Sequence, residues 1–157
     1  MNLTPKIESL ILQVEENRNL IKTSLKSLNY SYEKCQKIGL KENYNAEELE
    51  SFEALTSRFA RTSNILTKKV FKTLFILLQE DIKTFIDAAN FLEKIEIIKN
   101  ASQILSIREL RNEISHEYKD MDLKILFKEV ISYIPELIKI IKNTNKYIDE
   151  KFEIIRR

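Results

Sequence analysis

The sequence predicts an all-α fold, an antiparallel bundle of four to five helices that forms a single domain over residues 1–157. A length of 157 residues is typical of one domain with one core. The chain has one glycine and two prolines, too few for the many turns of a sandwich or barrel. Apolar residues recur at the spacing of amphipathic helices, and several such helices with short connections pack as a bundle.

The first predicted helix begins at Pro5, because Thr4 suits an N-cap and proline is favoured at the first helical position. Its apolar residues at helical spacing are Ile7, Leu10, Ile11, Val14, Ile21, Leu25 and Leu28. The pattern breaks over 29–45, so we expect the loosest part of the chain there. A short helical turn over 31–38 is expected within it, ending at Gly39 in the left-handed conformation that glycine tolerates.

The second predicted helix is long and runs from about residue 46 to 79, after the cap candidate Asn45. Its apolar side chains share one stripe, which we expect to face the core: Phe52, Leu55, Phe59, Leu66, Val70, Leu74 and Leu77. Another arc of the same helix forms a basic stripe: Arg58, Arg61, Lys68, Lys69 and Lys72. This basic stripe is either a solvated helix face or a surface that contacts RNA phosphates.

Two shorter helices are predicted over about 84–98 and 101–115. A fifth begins after a cap at Asp120 or Asp122 and continues toward residue 152. We expect Pro135 to bend this last helix, because proline removes one backbone hydrogen bond and its ring clashes with the preceding turn.

Composition restricts the chemistry of the chain. A single glycine excludes the glycine-rich phosphate loops of P-loop and dinucleotide-binding proteins. Cys35 and His116 each occur once, which excludes an internal disulfide and a zinc site of paired Cys and His ligands. The net charge of +2 is too small for a polybasic arm. With no secretory signal and no long apolar run, we expect a cytoplasmic protein that is not bound to a membrane and uses no metal or other cofactor.

The segment 110–118 surrounds the single histidine, the side chain best suited to proton transfer near neutral pH. On the fourth predicted helix, Arg111 shares a face with Ile104, Ile107 and Ile114. A guanidinium among apolar neighbours must find carboxylate, carbonyl or phosphate partners or lie at an interface, because its burial without a partner is costly. The position of Arg111 therefore indicates a specific role.

Arg111 and His116 are separated by about 140° around an ideal helix and by about 7.5 Å along its axis. Both side chains can reach one phosphate only if the helix ends or is distorted near Ser115, or if a second copy of the helix faces the first. A two-fold dimer would supply one imidazole as base for the ribose 2′-hydroxyl and another as acid for the leaving oxygen. Its two arginines would stabilise the charge of the transition state. We therefore expect a homodimer that cleaves RNA between its protomers.

Simpler interpretations of the same residues stay open. His116 can be a helix cap, and Arg111 can form a structural ion pair with Glu113 or Asp120 in a helical adaptor that has no active site. Glu113 and His116 also form the Glu-x-x-His pair of di-iron bundles, but the sequence lacks the second pair that such a site requires.

The segment Arg111-Asn112-x-x-x-His116-x-Tyr118 resembles the R-x4-H-x-Y signature of HEPN domains, in particular of HepT-like toxins. The resemblance includes the long second helix and covers about 45–147. It implies an HEPN-like homodimer that acts as a metal-independent endoribonuclease toxin on RNA, with tRNA as one substrate class. Arg111 and His116 would be its catalytic residues, and Asn112 would shape the cleft.

The resemblance also implies a partner and a modification. Such toxins form type VII-like HEPN/MNT toxin–antitoxin pairs with a minimal nucleotidyltransferase (MNT) as antitoxin. By the family pattern, Tyr118 accepts AMP groups that silence the nuclease, since each adenylate adds negative charge and bulk beside a phosphate site. Tyr118 can equally be a packed tyrosine with a hydrogen-bonded hydroxyl. An alternative from another class is a noncatalytic nucleotide- or substrate-binding companion subunit of such a nucleotidyltransferase.

Overall fold

A computed structural model describes residues 3–116 and 122–157. Its helical segments are α1 (Pro5–Ile38), α2 (Ala46–Ile65), a π-helical turn (Leu66–Val70), α3 (Phe71–Leu77), α4 (Phe85–Lys94), α5 (Ala101–Ser115) and α6 (Leu123–Ile155). The π-helical turn joins α2 to α3 without a break, so the described ranges contain five helices and no strand. The predicted all-α fold is confirmed. None of the described helices has the length and apolar character needed to cross a membrane.

Helix α1 is longer than its apolar pattern predicts. It begins at Pro5 with the Thr4 hydroxyl as cap, as expected, but it continues through the predicted break to Ile38. Beyond the last apolar position, Ser31 and Cys35 continue the buried face. A pattern of large apolar residues does not include these two small side chains, so it predicts a helix that is too short. Gly39 ends the helix at a φ of 79°, as its conformational freedom permits.

Helix α2 runs antiparallel to α1 and packs against both α1 and α6. An Asn45–Glu48 capping box starts the helix, which supplies hydrogen-bond partners to its first free N–H groups. In the core, the ring of Phe52 stacks on Phe127 of α6 at a centroid distance of 4.8 Å. Tyr44 covers the edge of this pair, at 5.6 Å from Phe127.

The π-helical turn is the main departure from the predicted second helix. The N–H of Phe71 bonds to the carbonyl of Leu66, five residues earlier, where a regular α-helix would use a spacing of four. The wider turn rotates the following side chains relative to a continuous α-helix. Consequently Phe71 and Phe75 are buried, and Leu77, expected in the core stripe, is only half-buried.

The last three helices position the C-terminal half of the core. Helix α4 ends at Lys94, earlier than expected, because Glu96 adopts a positive φ of 63°. Of the two cap candidates for α6, Asp122 receives the N–H of Lys124, and Asp120 lies outside the described residues. Helix α6 continues through Pro135 as one helix. Helix α5 packs against α2, α4 and α6, and this packing places its last turns beside the π-helical turn.

Candidate functional site

Arg111 lies on the buried face of α5. Only 7% of Arg111 is exposed, and Ile107, Leu110 and Ile114 are buried beside it. The structure therefore places a guanidinium among apolar side chains, as the spacing along the helix predicted. A charge at this position requires compensation, because burial favours the neutral form.

The compensation comes from the π-helical turn. Arg111 Nη1 donates to Thr67 Oγ1 at 3.0 Å, and the same hydroxyl donates to the carbonyl oxygen of Ser63 at 3.0 Å. Among the described residues, no carboxylate lies within ion-pair distance of Arg111. The suggested ion pair with Glu113 is thus not formed, and Asp120 lies outside the described residues. The charged guanidinium of Arg111 is therefore hydrogen-bonded to a neutral hydroxyl.

A second arginine increases the positive potential at this site. Burial, and then the charge of Arg108, lower the pKa of Arg111 below its ordinary value. The guanidinium carbon of Arg108 lies 4.6 Å from the ring centroid of Phe85 on α4, at a distance typical of a cation–π contact. Within the described part of the chain, neither arginine has an acidic partner. A bound anion would relieve the repulsion between them.

The end of α2 also contains buried polar atoms that have no partner among the described residues. Ser63 Oγ and Asn64 Oδ1 have no hydrogen bond to any described residue, and such a group costs about 1–3 kcal/mol. They directly precede the π-helical turn that holds Arg111. Unsatisfied buried groups and π-helical turns are both enriched at functional sites, so this part of the helix pair is a candidate site.

His116 lies where α5 ends. The helix stops at Ser115, and His116 adopts an extended conformation with φ −80° and ψ 146°. Its N–H donates to the carbonyl oxygens of Asn112 and Glu113, each at 3.2 Å, and the residue is exposed. Of the two arrangements considered for joint action with Arg111, the termination of the helix near Ser115 is present. His116 both caps the helix and exposes its imidazole.

The polar residues around His116 face solvent. Asn112 and Glu113 are exposed on the last turn of α5. Burial, and then the charge of Glu113, raise the pKa of Glu129 on α6 above its ordinary value of 4.5, so these two carboxylates lie near each other. Across the described ranges, no three His, Cys, Asp or Glu side chains cluster as metal ligands would. Tyr118, the proposed modification site, lies outside the described residues.

The predicted basic stripe separates into two parts. Arg58 is half-buried against α1, where Nη1 donates to Ser31 Oγ at 2.6 Å and to the carbonyl oxygen of Ser27 at 3.3 Å. The other four residues are exposed: Arg61, Lys68, Lys69 and Lys72. Lys68 and Lys69 belong to the π-helical turn, so a regular α-helical wheel misplaces them relative to Arg61. Arg58 therefore belongs to the contact between α1 and α2.

Two residues of the site were missed in the sequence. Arg108 precedes Arg111 by one turn, a spacing that places both on the same side of α5 and was readable from the sequence. Thr67 lies far from Arg111 in the chain, and nothing in its local pattern distinguishes it from a surface threonine. Its role depends on how α2 packs against α5.

Comparisons with protein-family models, with curated proteins and with solved structures found no match to this chain. The functional interpretation therefore rests on the residues described above and on the resemblance of the segment around His116 to the HEPN signature.

Proposed function

We propose that this chain is a metal-independent endoribonuclease toxin of the HEPN type, which acts as a homodimer and belongs to a type VII-like HEPN/MNT toxin–antitoxin pair. One observation carries the proposal. Arg111 is buried with a hydroxyl as its side-chain partner among the described residues, and the exposed His116 follows at the point where α5 ends. A cation that stabilises charge on phosphate and an accessible imidazole that transfers protons are the two kinds of group that phosphodiester cleavage uses.

The proposed reaction uses two copies of the chain. His116 of one copy takes the proton from a ribose 2′-hydroxyl, and the 2′-oxygen attacks the adjacent phosphorus. His116 of the second copy donates a proton to the 5′-oxygen as its bond to phosphorus breaks, which leaves a 2′,3′-cyclic phosphate and a 5′-hydroxyl. Arg111 stabilises the additional negative charge on the phosphate. Asn112, exposed beside His116, shapes the cleft.

Arg111 would act from a fixed position. Its hydrogen bond to Thr67 occupies one of several guanidinium N–H donors. Arg108, whose charge acts on Arg111, adds attraction for the phosphate. The four exposed cations of the basic stripe would contact the RNA backbone, where Arg and Lys residues fix position without reading sequence.

Regulation in this proposal acts through Tyr118, two residues after His116. An MNT antitoxin would transfer AMP to its hydroxyl. The added phosphate charge and bulk would then repel RNA from the site between the protomers.

The proposal is tested by RNA cleavage in the presence of EDTA. We expect the purified chain to cut RNA, and His116→Ala to reduce the rate by about 100-fold or more, because the variant removes both proton-transfer groups of the dimer. Glu109→Ala, at an exposed position of the same helix, is the matched control and should retain full activity. Arg111→Ala should also lose activity. Undiminished cleavage by both His116→Ala and Arg111→Ala would remove the proposed site.

A second candidate is the noncatalytic, ligand-binding companion of a nucleotidyltransferase. The low exposure of Arg111, 7%, favours it, because a largely buried guanidinium can hold a ligand or the fold without taking part in chemistry. Growth arrest on expression, relieved by His116→Ala, would favour the nuclease. A harmless chain that binds a nucleotide without cutting RNA would favour the companion. Light scattering adds a third outcome, since a stable monomer would support a helical adaptor.

A further inference from the structure

We infer that the cleft between α1 and α2 is a second binding site, separate from the end of α5, that takes one nucleotide unit carrying one phosphate. The cleft has a volume of about 540 Å³, and its walls include Tyr30 and Lys34 of α1 and Arg58 of α2. This volume falls within the range of small-molecule sites. None of the residues proposed for RNA cleavage lines it, so the inference does not depend on the nuclease.

Arg58 provides an anion-binding group at one end of the cleft. Its guanidinium is held by two neutral oxygens of α1, Ser31 Oγ and the carbonyl oxygen of Ser27. No carboxylate of the described ranges lies within ion-pair distance of it. Lys34, exposed on the facing helix, lines the same cleft. A positioned guanidinium with a neighbouring ammonium suits a phosphate group.

Tyr30 provides an aromatic surface beside these cations. The residue is 65% exposed. The guanidinium carbon of Arg58 lies over one face of its ring, 5.9 Å from the centroid, so the opposite face is the one left for a ligand. Large aromatic side chains usually bury most of their surface, so an exposed ring at the edge of a cleft is available for stacking. Nucleobases stack on such rings whatever their sequence. In the inferred site, a base would stack on the free face of Tyr30 and the phosphate would bind the adjoining guanidinium of Arg58.

The other end of the cleft is acidic. Glu47, Glu48 and Glu50 line it. Glu48 is ion-paired with Lys41, whereas Glu47 and Glu50 precede Arg58 by about 16 Å and 12 Å along the axis of α2. Their carboxylates can accept hydrogen bonds from ribose hydroxyls or base amino groups, but they repel further phosphates. A nucleoside monophosphate fits this distribution of charge, whereas a triphosphate does not. The unit can be free or part of an RNA strand, because both present the same base and phosphate.

Calorimetric titration of the full chain tests the inference, in wild type and in His116→Ala, in which RNA should stay intact. We expect AMP to bind about tenfold more tightly than adenosine because of its phosphate, and ATP to bind no more tightly than AMP. Hexaadenylate that binds more tightly than AMP, by a margin that Tyr30→Ala removes, would identify an RNA strand as the ligand of this cleft, and any other result with AMP bound would identify the free nucleotide. Absence of binding by AMP and hexaadenylate at millimolar concentration would overturn the inference.

Variants distinguish this cleft from other basic surfaces. Tyr30→Ala should weaken AMP binding about tenfold and Tyr30→Phe should not, because stacking requires only the ring. Arg58→Lys should weaken binding, whereas Lys37→Ala, at an exposed position of α1 that does not line the cleft, should not. Glu50→Gln should strengthen the binding of ATP relative to AMP, because it removes a charge that repels the additional phosphates. Since Tyr30 is largely exposed, its variants should fold normally, and unchanged AMP affinity in Tyr30→Ala would exclude this cleft as the site.

Discussion

Replacing Thr67 by valine should test whether the π-helical turn supports the charge of Arg111. The substitution keeps the shape of the side chain but removes the hydroxyl that accepts from Arg111 Nη1 at 3.0 Å and donates to the Ser63 carbonyl at 3.0 Å. A hydrogen bond to a charged group contributes about 1.5–3 kcal/mol. The free energy of unfolding should fall by about that amount, and the midpoint of thermal unfolding by about 3–12 °C for a chain of this length.

Thr144→Val is the matched control for this experiment. Thr144 is buried on α6, and its hydroxyl donates to the Ile140 carbonyl at 2.7 Å, four residues back, as Thr67 does to Ser63. Among the described residues, no cation donates to Thr144. Urea unfolding of both variants, followed by circular dichroism, compares the two losses, and Thr67→Ser should behave as wild type. Equal destabilisation by Thr67→Val and Thr144→Val would show that the contact with Arg111 contributes nothing.

Three further predictions concern other parts of the chain. Gly39→Ala should lower the free energy of unfolding, measured in urea, by about 1–3 kcal/mol. The cause is backbone strain alone, because φ 79° and ψ 164° form a conformation that essentially only glycine adopts and an added Cβ meets no atom within 4 Å. Burial raises the pKa of the Cys35 thiol to about 11 from 9.0. The contribution of the neutral thiol to the free energy of unfolding should therefore be complete below pH 9 and decline as pH rises toward 11. At pH 8 the native thiol should resist a thiol reagent until urea unfolds the chain. Glu129→Gln should raise the midpoint of thermal unfolding at pH 7 but not at pH 4, because burial and the charge of Glu113 disfavour only the ionised form of Glu129. An equal gain from Glu150→Gln, at an exposed position of the same helix, would show that the gain does not come from the environment of Glu129.

The fold could be predicted from the sequence wherever large apolar residues set the helical period. The buried Leu28, Phe52 and Ile107 all lie on predicted core faces. The expected helical turn over 31–38, ending at Gly39, is present, but its separation from the first helix was wrong, because Ser31 and Cys35 continue the buried face of α1 without a break. Small side chains carry little hydrophobic signal, although a tightly packed helix pair accommodates them readily.

The candidate site was predictable in its residue types and in part of its geometry. The burial of Arg111 followed from its spacing among isoleucines, and the end of α5 at Ser115 was one of the two arrangements considered for His116. The sequence did not reveal that Arg58 is bound to α1 while the neighbouring cations are exposed. A helical wheel assumes one regular period, and the π-helical turn departs from that period within the basic stripe.

By itself, then, the sequence determined an all-helical chain with one lone imidazole a few residues beyond a core-facing guanidinium, because periodicity and residue type are local properties. Only the tertiary structure decided which group meets that guanidinium. Thr67 and Arg111 are 44 residues apart in the chain, and their contact depends on the packing of α2 against α5 and on the π-helical turn. The formation of a cleft beside Tyr30 and Arg58 was likewise a result of packing, since it requires the facing surfaces of two antiparallel helices.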